Sequence, residues 1–171
     1  MSGEAAKRNP IHFIRACLAI VIFGLALSGI TAFPLESELT WLRSALESNS
    51  VRVIAQSIHL LPWIRRVQEG LAQTNRAYPF LAYGTDWLAF AHLMLAILFV
   101  GAYHDPVRNR WLITFGLIAC IGVIFLALIA GPVRGIPWGW RLIDCSFGVL
   151  CAGPLLLCRR AIDRLVQISI A

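Results

Sequence analysis

The chain has 171 residues, of which 58% are hydrophobic and only 14% are charged, and its mean hydropathy is +0.73. A soluble domain carries about 25% charged and about 45–50% apolar residues, so this composition excludes an ordinary soluble domain and indicates a lipid bilayer. The net charge of +6 does not predict nucleic-acid binding, because most basic residues flank apolar runs, where they set the orientation of spans.

Four apolar stretches have the roughly 20 residues that a transmembrane helix needs. They cover residues 12–32, 80–103, 111–131 and 136–158. The first begins after Lys7 and Arg8, as a secretory signal would, but its apolar part of about 18 residues exceeds the 7–15 of a signal peptide. The sequence therefore predicts an all-α membrane protein with four transmembrane helices in a single integral membrane domain, residues 1–171. Short connections predict that spans two, three and four form a compact up-down unit.

The segment 33–79 repeats apolar residues at helical spacing, beginning with Leu35, Leu39, Leu42 and Leu46. This pattern predicts two or three amphipathic helices on the outer surface, with Trp41 and Trp63 at the interface. The local signals are a helix N-cap, a first-turn proline and two i,i+4 ion pairs: Ser50, Pro62, Arg43 with Glu47, and Arg65 with Glu69. A structural cap and a functional lid or docking surface both fit this pattern.

The distribution of basic residues predicts the orientation. The two terminal segments and the 103–111 turn hold eight basic residues in short pieces, whereas the other side holds six, spread over a long loop and a turn. Positive charge concentrates on the cytoplasmic side of spans. We therefore expect a multi-pass protein of the cell (inner) membrane with both termini cytoplasmic and the 33–79 loop extracytoplasmic.

Stripes of small residues predict where helices approach each other, because small side chains allow close contact in lipid. Each of three spans carries such a stripe at helical spacing: Gly24 and Ser28 in the first, Gly116, Cys120, Ala127 and Gly131 in the third, and Gly148 and Ala152 in the fourth. The cysteines form no metal-binding or CxxC spacing and are interpreted as small apolar side chains. No metal and no cofactor is expected.

Ionisable residues inside spans are candidate functional residues by default. At 1.5 Å per residue from the outer ends, Asp86 lies about 9 Å deep, Arg141 about 8 Å and Asp144 about 12 Å, and His92 lies about 18 Å deep. The predicted polar cluster comprises Tyr83, Asp86, His92, Arg134, Arg141 and Asp144. Two interpretations stay open: an ion-pair network that fixes helix order, or a pocket that binds a polar head group, an ion or a proton.

The segment from Gly131 to Gly148, together with Asp86 and His92, is similar to the VanZ-like small membrane proteins. That family places an aspartate and a histidine in one span, and an arginine and an aspartate before a glycine in a later span. Here Asp86 and His92 are six residues apart, where the family's pair is closer, and the usual asparagine after the later aspartate is missing. The resemblance implies a role in the cell envelope.

Three classes of function follow from these features. The first is a non-enzymatic accessory or binding component, with membrane lipids and a protein partner or second copy as partners and no nucleic acid. The second is an envelope-lipid or lipid-linked-substrate enzyme that uses Asp86 or His92 as acid or base and Arg134 or Arg141 to hold an anionic head group. The third is a proton or ion conduit, which the lack of ionisable residues in span 111–131 disfavours. No catalytic residue is assigned, because the standard catalytic motifs are absent.

Overall fold

The computed structural model describes residues 10–48 and 51–170, and within them the chain is helical with no strand. Seven α-helices and one 3-10 turn follow in order: α1 (Pro10–Ala32), α2 (Leu35–Leu46), α3 (Arg52–Ser57), α4 (Leu60–Ala77), the turn Pro79–Ala82, α5 (Tyr83–His104), α6 (Arg110–Val133) and α7 (Trp138–Ile170). Four segments are long and apolar enough to cross a bilayer: Pro10–Ala32, Pro79–His104, Arg110–Val133 and Trp138–Gln167. The prediction of an all-α chain with four candidate spans is confirmed.

Helix α7 is longer than the predicted fourth span, which ended at residue 158. Its 33 residues correspond to about 50 Å, whereas the hydrocarbon core of a bilayer is about 30 Å thick. The extra turns stay helical because they keep an apolar stripe: Ile162 is buried in the bundle core, and Leu165 and Val166 pack against it. The last turns are also held to α6, since Asp163 Oδ1 lies 2.9 Å from Arg110 Nη2.

The helices pack in an order that differs from the predicted one. The close pairs are α1 with α5, α6 with α7, and α1 with α7, whereas α5 and α6 touch little although they follow each other in the chain. The order across the bundle is therefore α5, α1, α7, α6. The prediction that spans two, three and four form one compact unit is wrong, because the first span lies between the second and the fourth.

Glycines at two helix crossings explain the two closest pairs, α1 with α5 and α6 with α7. A Cβ added at Gly29 of α1 would lie 2.9 Å from the carbonyl oxygen of Ala89 in α5. A Cβ added at Gly148 of α7 would lie 2.6 Å from the carbonyl oxygen of Cys120 in α6. Both distances are too short for a side chain, so glycine alone lets these backbones touch.

The predicted small-residue stripes of α6 and α7 lie in contacts, but the stripe of α1 does not. Gly116, Cys120, Ala127, Gly131 and Gly148 are buried, and Ala152 packs against the bundle core. Gly24 and Ser28 are exposed, and no atom lies within 4 Å of a Cβ added at Gly24. Their assignment as packing residues is wrong, because Gly29, one residue and about 100° further around the helix, faces α5 instead.

All four spans meet in the half of the bundle that carries the chain termini, which we call the terminal side. The buried core there includes residues of every span: Ile14, Leu18, Phe99, Ala102, Leu112, Ile113, Leu155 and Ile162. Two thiol pairs also lie at helix contacts in this bundle. Cys120 of α6 interacts with Cys151 of α7, and Cys158 of α7 interacts with Cys17 of α1. All five cysteines of the chain are free thiols.

Helices α2, α3 and α4 form a unit at the opposite end of the bundle, which we call the cap. Its apolar core consists of Leu39, Leu46, Ala55, Leu60, Leu61 and Ile64, with Trp140 and Ile143 of α7 packed against it. The contact to α7 is close, because a Cβ added at Gly139 would lie 2.6 Å from the carbonyl oxygen of Ile58. The cap therefore rests on the beginning of α7.

A row of polar contacts joins α2 to α4 and shows that the two helices are antiparallel. Asn75 Nδ2 donates to Glu36 Oε1 at 2.6 Å, Gln68 Nε2 to Thr40 Oγ1 at 3.2 Å, and Arg65 Nη2 to Glu47 Oε1 at 2.8 Å. As the residue numbers increase along α2, those of the contacting residues in α4 decrease. The row closes one side of the cap over its apolar core.

The predicted features of the cap are confirmed in part. The segment is helical, Pro62 lies in the first turn of α4, and Arg43 pairs with Glu47 at 3.0 Å. The expected pair of Arg65 with Glu69 is wrong, because Arg65 reaches across to Glu47 on the neighbouring helix. Trp41 is exposed and Trp63 is half-buried. Ser50, the expected N-cap, and Lys7 and Arg8 lie outside the described residues.

The contact at Gly148 predicts a loss of stability on substitution. Gly148→Ala would place a methyl group against the Cys120 carbonyl, and such overpacking typically costs about 1–3 kcal/mol. We expect a lower melting temperature in detergent micelles. The matched control is Gly153→Ala in the same helix, where no atom lies within 4 Å of the added Cβ. Equal melting temperatures for the two variants would contradict the α6–α7 contact.

The position of Glu47 predicts a pH dependence of the cap. Hydrogen bonds from Arg65 and then from Arg43 lower the pKa of Glu47 below its ordinary value of 4.5. A lowered pKa in the folded state stabilises the fold above the ordinary pKa, and this contribution is lost as the pH falls through the lowered value. We expect Glu47→Gln to reduce the drop in melting temperature between pH 6 and pH 3. Glu69→Gln, the matched control on the exposed face of α4, should leave that drop unchanged.

Candidate functional site

Three of the predicted polar residues, Tyr83, Asp86 and His92, belong to α5, which packs mainly against α1. Tyr83 is exposed and forms the first step of an aromatic row, with its ring centroid 6.0 Å from that of Trp87, which is in turn 5.9 Å from Phe90. Asp86 is half-buried and forms no hydrogen bond or ion pair with another described residue. Exposed aromatic residues near the end of a span are typical of the membrane interface.

The ring of His92 is held by its own helix. Its Nδ1 lies 2.8 Å from the carbonyl oxygen of Leu88, one turn earlier. A carbonyl can only accept a hydrogen bond, so Nδ1 carries the proton and donates it. This bond fixes the ring orientation and leaves Nε2 as the remaining acceptor, an arrangement that is typical of a histidine satisfied within its own helix.

Arg141 of α7 packs against α6 through Gly131. A Cβ added at Gly131 would collide with Cδ and Cγ of Arg141, so the absence of a side chain at Gly131 makes room for the arginine. The Nε of Arg141 is buried and has no hydrogen-bond partner in the described part of the chain. An unsatisfied buried donor is costly, and such a group is a candidate to hold a ligand.

A cavity of about 420 Å³ lies between α6 and α7 on the side of the cap. Its charged groups are Arg134, in the turn between the helices, and Asp144. The remaining walls are apolar or glycine: Val123, Leu126, Ala127, Ala130, Gly131, Ile136 and Phe147. Leu126 and Phe147 are 66% and 63% exposed, so the cavity opens on the apolar outer face of the helix pair.

The six predicted cluster residues thus separate into two groups. Arg134 and Asp144 line one cavity, and Arg141 lies beside it on Gly131. Tyr83, Asp86 and His92 lie on α5, which packs on α1 and has no comparable contact with α7. Among residues 10–48 and 51–170, no hydrogen bond or ion pair joins Asp86 to Arg134, Arg141 or Asp144. The expected single layer of paired charges is not formed.

Several polar contacts on the terminal side were not predicted from the sequence. Arg15 Nε donates to the carbonyl oxygen of Tyr103 at 3.2 Å, and its guanidinium carbon lies 5.7 Å from the ring centroid of Tyr103. Arg159 donates to Thr114 Oγ1 at 3.0 Å. Each of these contacts joins two different spans, so part of the basic charge that flanks the spans also ties the helix ends together.

The separation of Asp86 from Arg141 predicts that the two residues are energetically independent. A double-mutant cycle with Asp86→Asn and Arg141→Gln should give a coupling energy below about 0.5 kcal/mol, the additivity expected of sites without a shared partner. Thermal or denaturant unfolding in micelles measures the coupling energy. A second cycle with Arg110→Gln and Asp163→Asn, which form an ion pair in the structure, is the positive control. A coupling of about 1 kcal/mol or more between Asp86 and Arg141 would show that the two residues meet.

The composition of the site gives no sign of a metal centre. No group of three or more histidine, cysteine, aspartate or glutamate side chains in the described part of the chain could hold a metal ion. The chain matches no protein-family model, no curated protein and no solved structure. The similarity to the VanZ-like proteins stays a prediction that rests on the residues quoted for it.

Proposed function

We propose that this protein is a non-enzymatic binding component of the cell membrane, and that its cavity between α6 and α7 receives the head group of an amphiphilic ligand. The observation that carries the proposal is the cavity itself, which combines Arg134 and Asp144 with apolar walls. Ligand pockets typically have volumes of about 300–1,000 Å³ and pair apolar walls with a few polar groups. At about 420 Å³, this cavity falls within that range.

The arrangement of the walls suits an amphiphile. Arg134 and Asp144 lie towards the cap, whereas Val123 lies ten residues before the end of α6 at Val133, which is about 15 Å along the helix. The charged groups thus mark one end of the cavity and the apolar residues continue down the span. A molecule with a polar head and an acyl chain matches this gradient.

The proposal includes an orientation. We place the termini in the cytoplasm and the cap outside, because the short segments on the terminal side hold their basic residues at higher density than the long cap. The basic residues of the cap are also offset by acidic ones: Glu36, Glu38, Glu47 and Glu69. The positive-inside rule favours this direction. The cavity then lies in the outer leaflet, beneath the cap.

The geometry favours binding over catalysis. An enzyme built on Asp86 or His92 would need one of them at the same site as the arginines. The two residues lie on α5 instead, which packs on α1 rather than on the α6–α7 pair that forms the cavity. A conduit is also disfavoured, because α6 carries no aspartate, glutamate, lysine, arginine or histidine between Arg110 and Val133.

Lipid binding tests the proposal directly. We expect Arg134→Gln combined with Asp144→Asn to weaken binding of a mixture of dioleoyl phosphatidylethanolamine and phosphatidylglycerol by about tenfold or more, since charge-assisted contacts are lost. Native mass spectrometry of the purified protein in micelles measures the bound lipid. Arg160→Gln is the control for the loss of an exposed charge away from the cavity.

A second variant covers the case in which the charge substitutions prevent folding. Val123→Trp adds bulk at the apolar end of the cavity without changing any charge, and it should also reduce lipid binding. Unchanged binding in folded variants of both kinds would refute the proposed site.

A further inference from the structure

The charges around the cavity restrict the chemistry of its ligand. Arg134 and Asp144 line the cavity, and the side chain of Arg141 packs through Cγ and Cδ against Gly131, which is itself part of the wall. The wall therefore offers one guanidinium group and one carboxylate, and a second arginine, Arg141, lies next to the wall at Gly131. No ion pair among the described residues involves Arg134, Arg141 or Asp144, so a ligand that carries both signs of charge matches the site best.

The guanidinium groups match a phosphodiester. Arginine holds phosphate oxygens through charge-assisted, often bidentate hydrogen bonds. The buried Nε of Arg141 lacks a hydrogen-bond partner, and a phosphate oxygen is the kind of acceptor that this donor lacks. Because the rest of the lining is apolar, an anionic phosphate would find no other counter-charge there.

Asp144 matches a cationic group that carries N–H donors. A carboxylate is an acceptor-only group, so it gains both charge attraction and hydrogen bonds from a primary ammonium. A quaternary ammonium has the charge but no N–H to donate, and a glycerol hydroxyl has a donor but no charge. The primary amine is the partner that uses both properties of Asp144.

We infer that the ligand is a phospholipid whose head group carries a primary amine, with the phosphate at Arg134, on the side of Gly131 and Arg141, and the amine at Asp144. This inference rests on the proposed function and adds the head-group class to it. The acyl chains run along the apolar wall of α6 towards Val123, which keeps the head group under the cap.

Head-group selectivity in the unmodified protein is the first test. The probes are four dioleoyl phospholipids with ethanolamine, serine, choline or glycerol head groups, each titrated separately by native mass spectrometry. We expect the ethanolamine and serine lipids to bind about tenfold more tightly than the choline and glycerol lipids. Stepwise N-methylation of the ethanolamine lipid should weaken binding at each step, because each methyl group removes an N–H donor.

Two variants assign this selectivity to residues. Asp144→Asn should remove the preference for the amine-bearing lipids while glycerol-lipid binding persists. Gly131→Ala should displace the Arg141 side chain and weaken all four lipids together. Gly122→Ala in the same helix, where no atom lies within 4 Å of the added Cβ, is the matched control and should bind like the unmodified protein.

The outcomes separate the inference from the proposed function. Equal binding of the four lipids, still weakened by Arg134→Gln, would overturn the amine inference and leave lipid binding at the cavity intact. Equal binding that no cavity variant changes would overturn both. Selectivity that survives Asp144→Asn in a folded protein would show that another group recognises the amine.

Discussion

The arrangement of this protein depends on backbone contact between helices at two glycines. Inside a bilayer, apolar side chains gain little by leaving lipid for another helix, so close van der Waals approach decides which helices pair. Gly148 brings α7 onto the Cys120 carbonyl of α6, and Gly29 brings α1 onto the Ala89 carbonyl of α5. The bundle is therefore built from two tight pairs joined by α1 and α7, and the charges of α5 and of α7 belong to different pairs.

The cap extends the α6–α7 pair rather than covering the bundle evenly. Its apolar core includes Trp140 and Ile143 of α7, and Gly139 lets the Ile58 carbonyl approach the first turn of that helix. The polar row between α2 and α4 joins these two cap helices directly. The cap contact and Asp144, which lines the cavity, thus lie within the first two turns of the same helix.

The sequence determines position along a helix much better than direction around it. Length and hydropathy predicted the four spans, and helical spacing predicted the amphipathic cap and the Arg43–Glu47 pair. The rise per residue predicts similar depths for Asp86 and Arg141. No pattern in the chain specifies which spans are neighbours, so the sequence could not predict whether these two residues lie close together. The same limit applies to packing and pairing within the helices. Spacing along α1 favours Gly24 and Ser28 over Gly29, and spacing along α4 favours Glu69 as the partner of Arg65, whose actual partner, Glu47, is 18 residues away on another helix.

The order of the helices is tested most directly by oxidative cross-linking of thiol pairs in membranes. A variant that keeps only Cys120 and Cys151, and another that keeps only Cys17 and Cys158, should each form an internal disulfide with copper phenanthroline, since these thiols interact across α6–α7 and α1–α7. A cysteine-free variant carrying Asp86→Cys and Asp144→Cys should form none. Cross-linking of the 86–144 pair, with none between Cys17 and Cys158, would contradict the placement of α1 between α5 and α7.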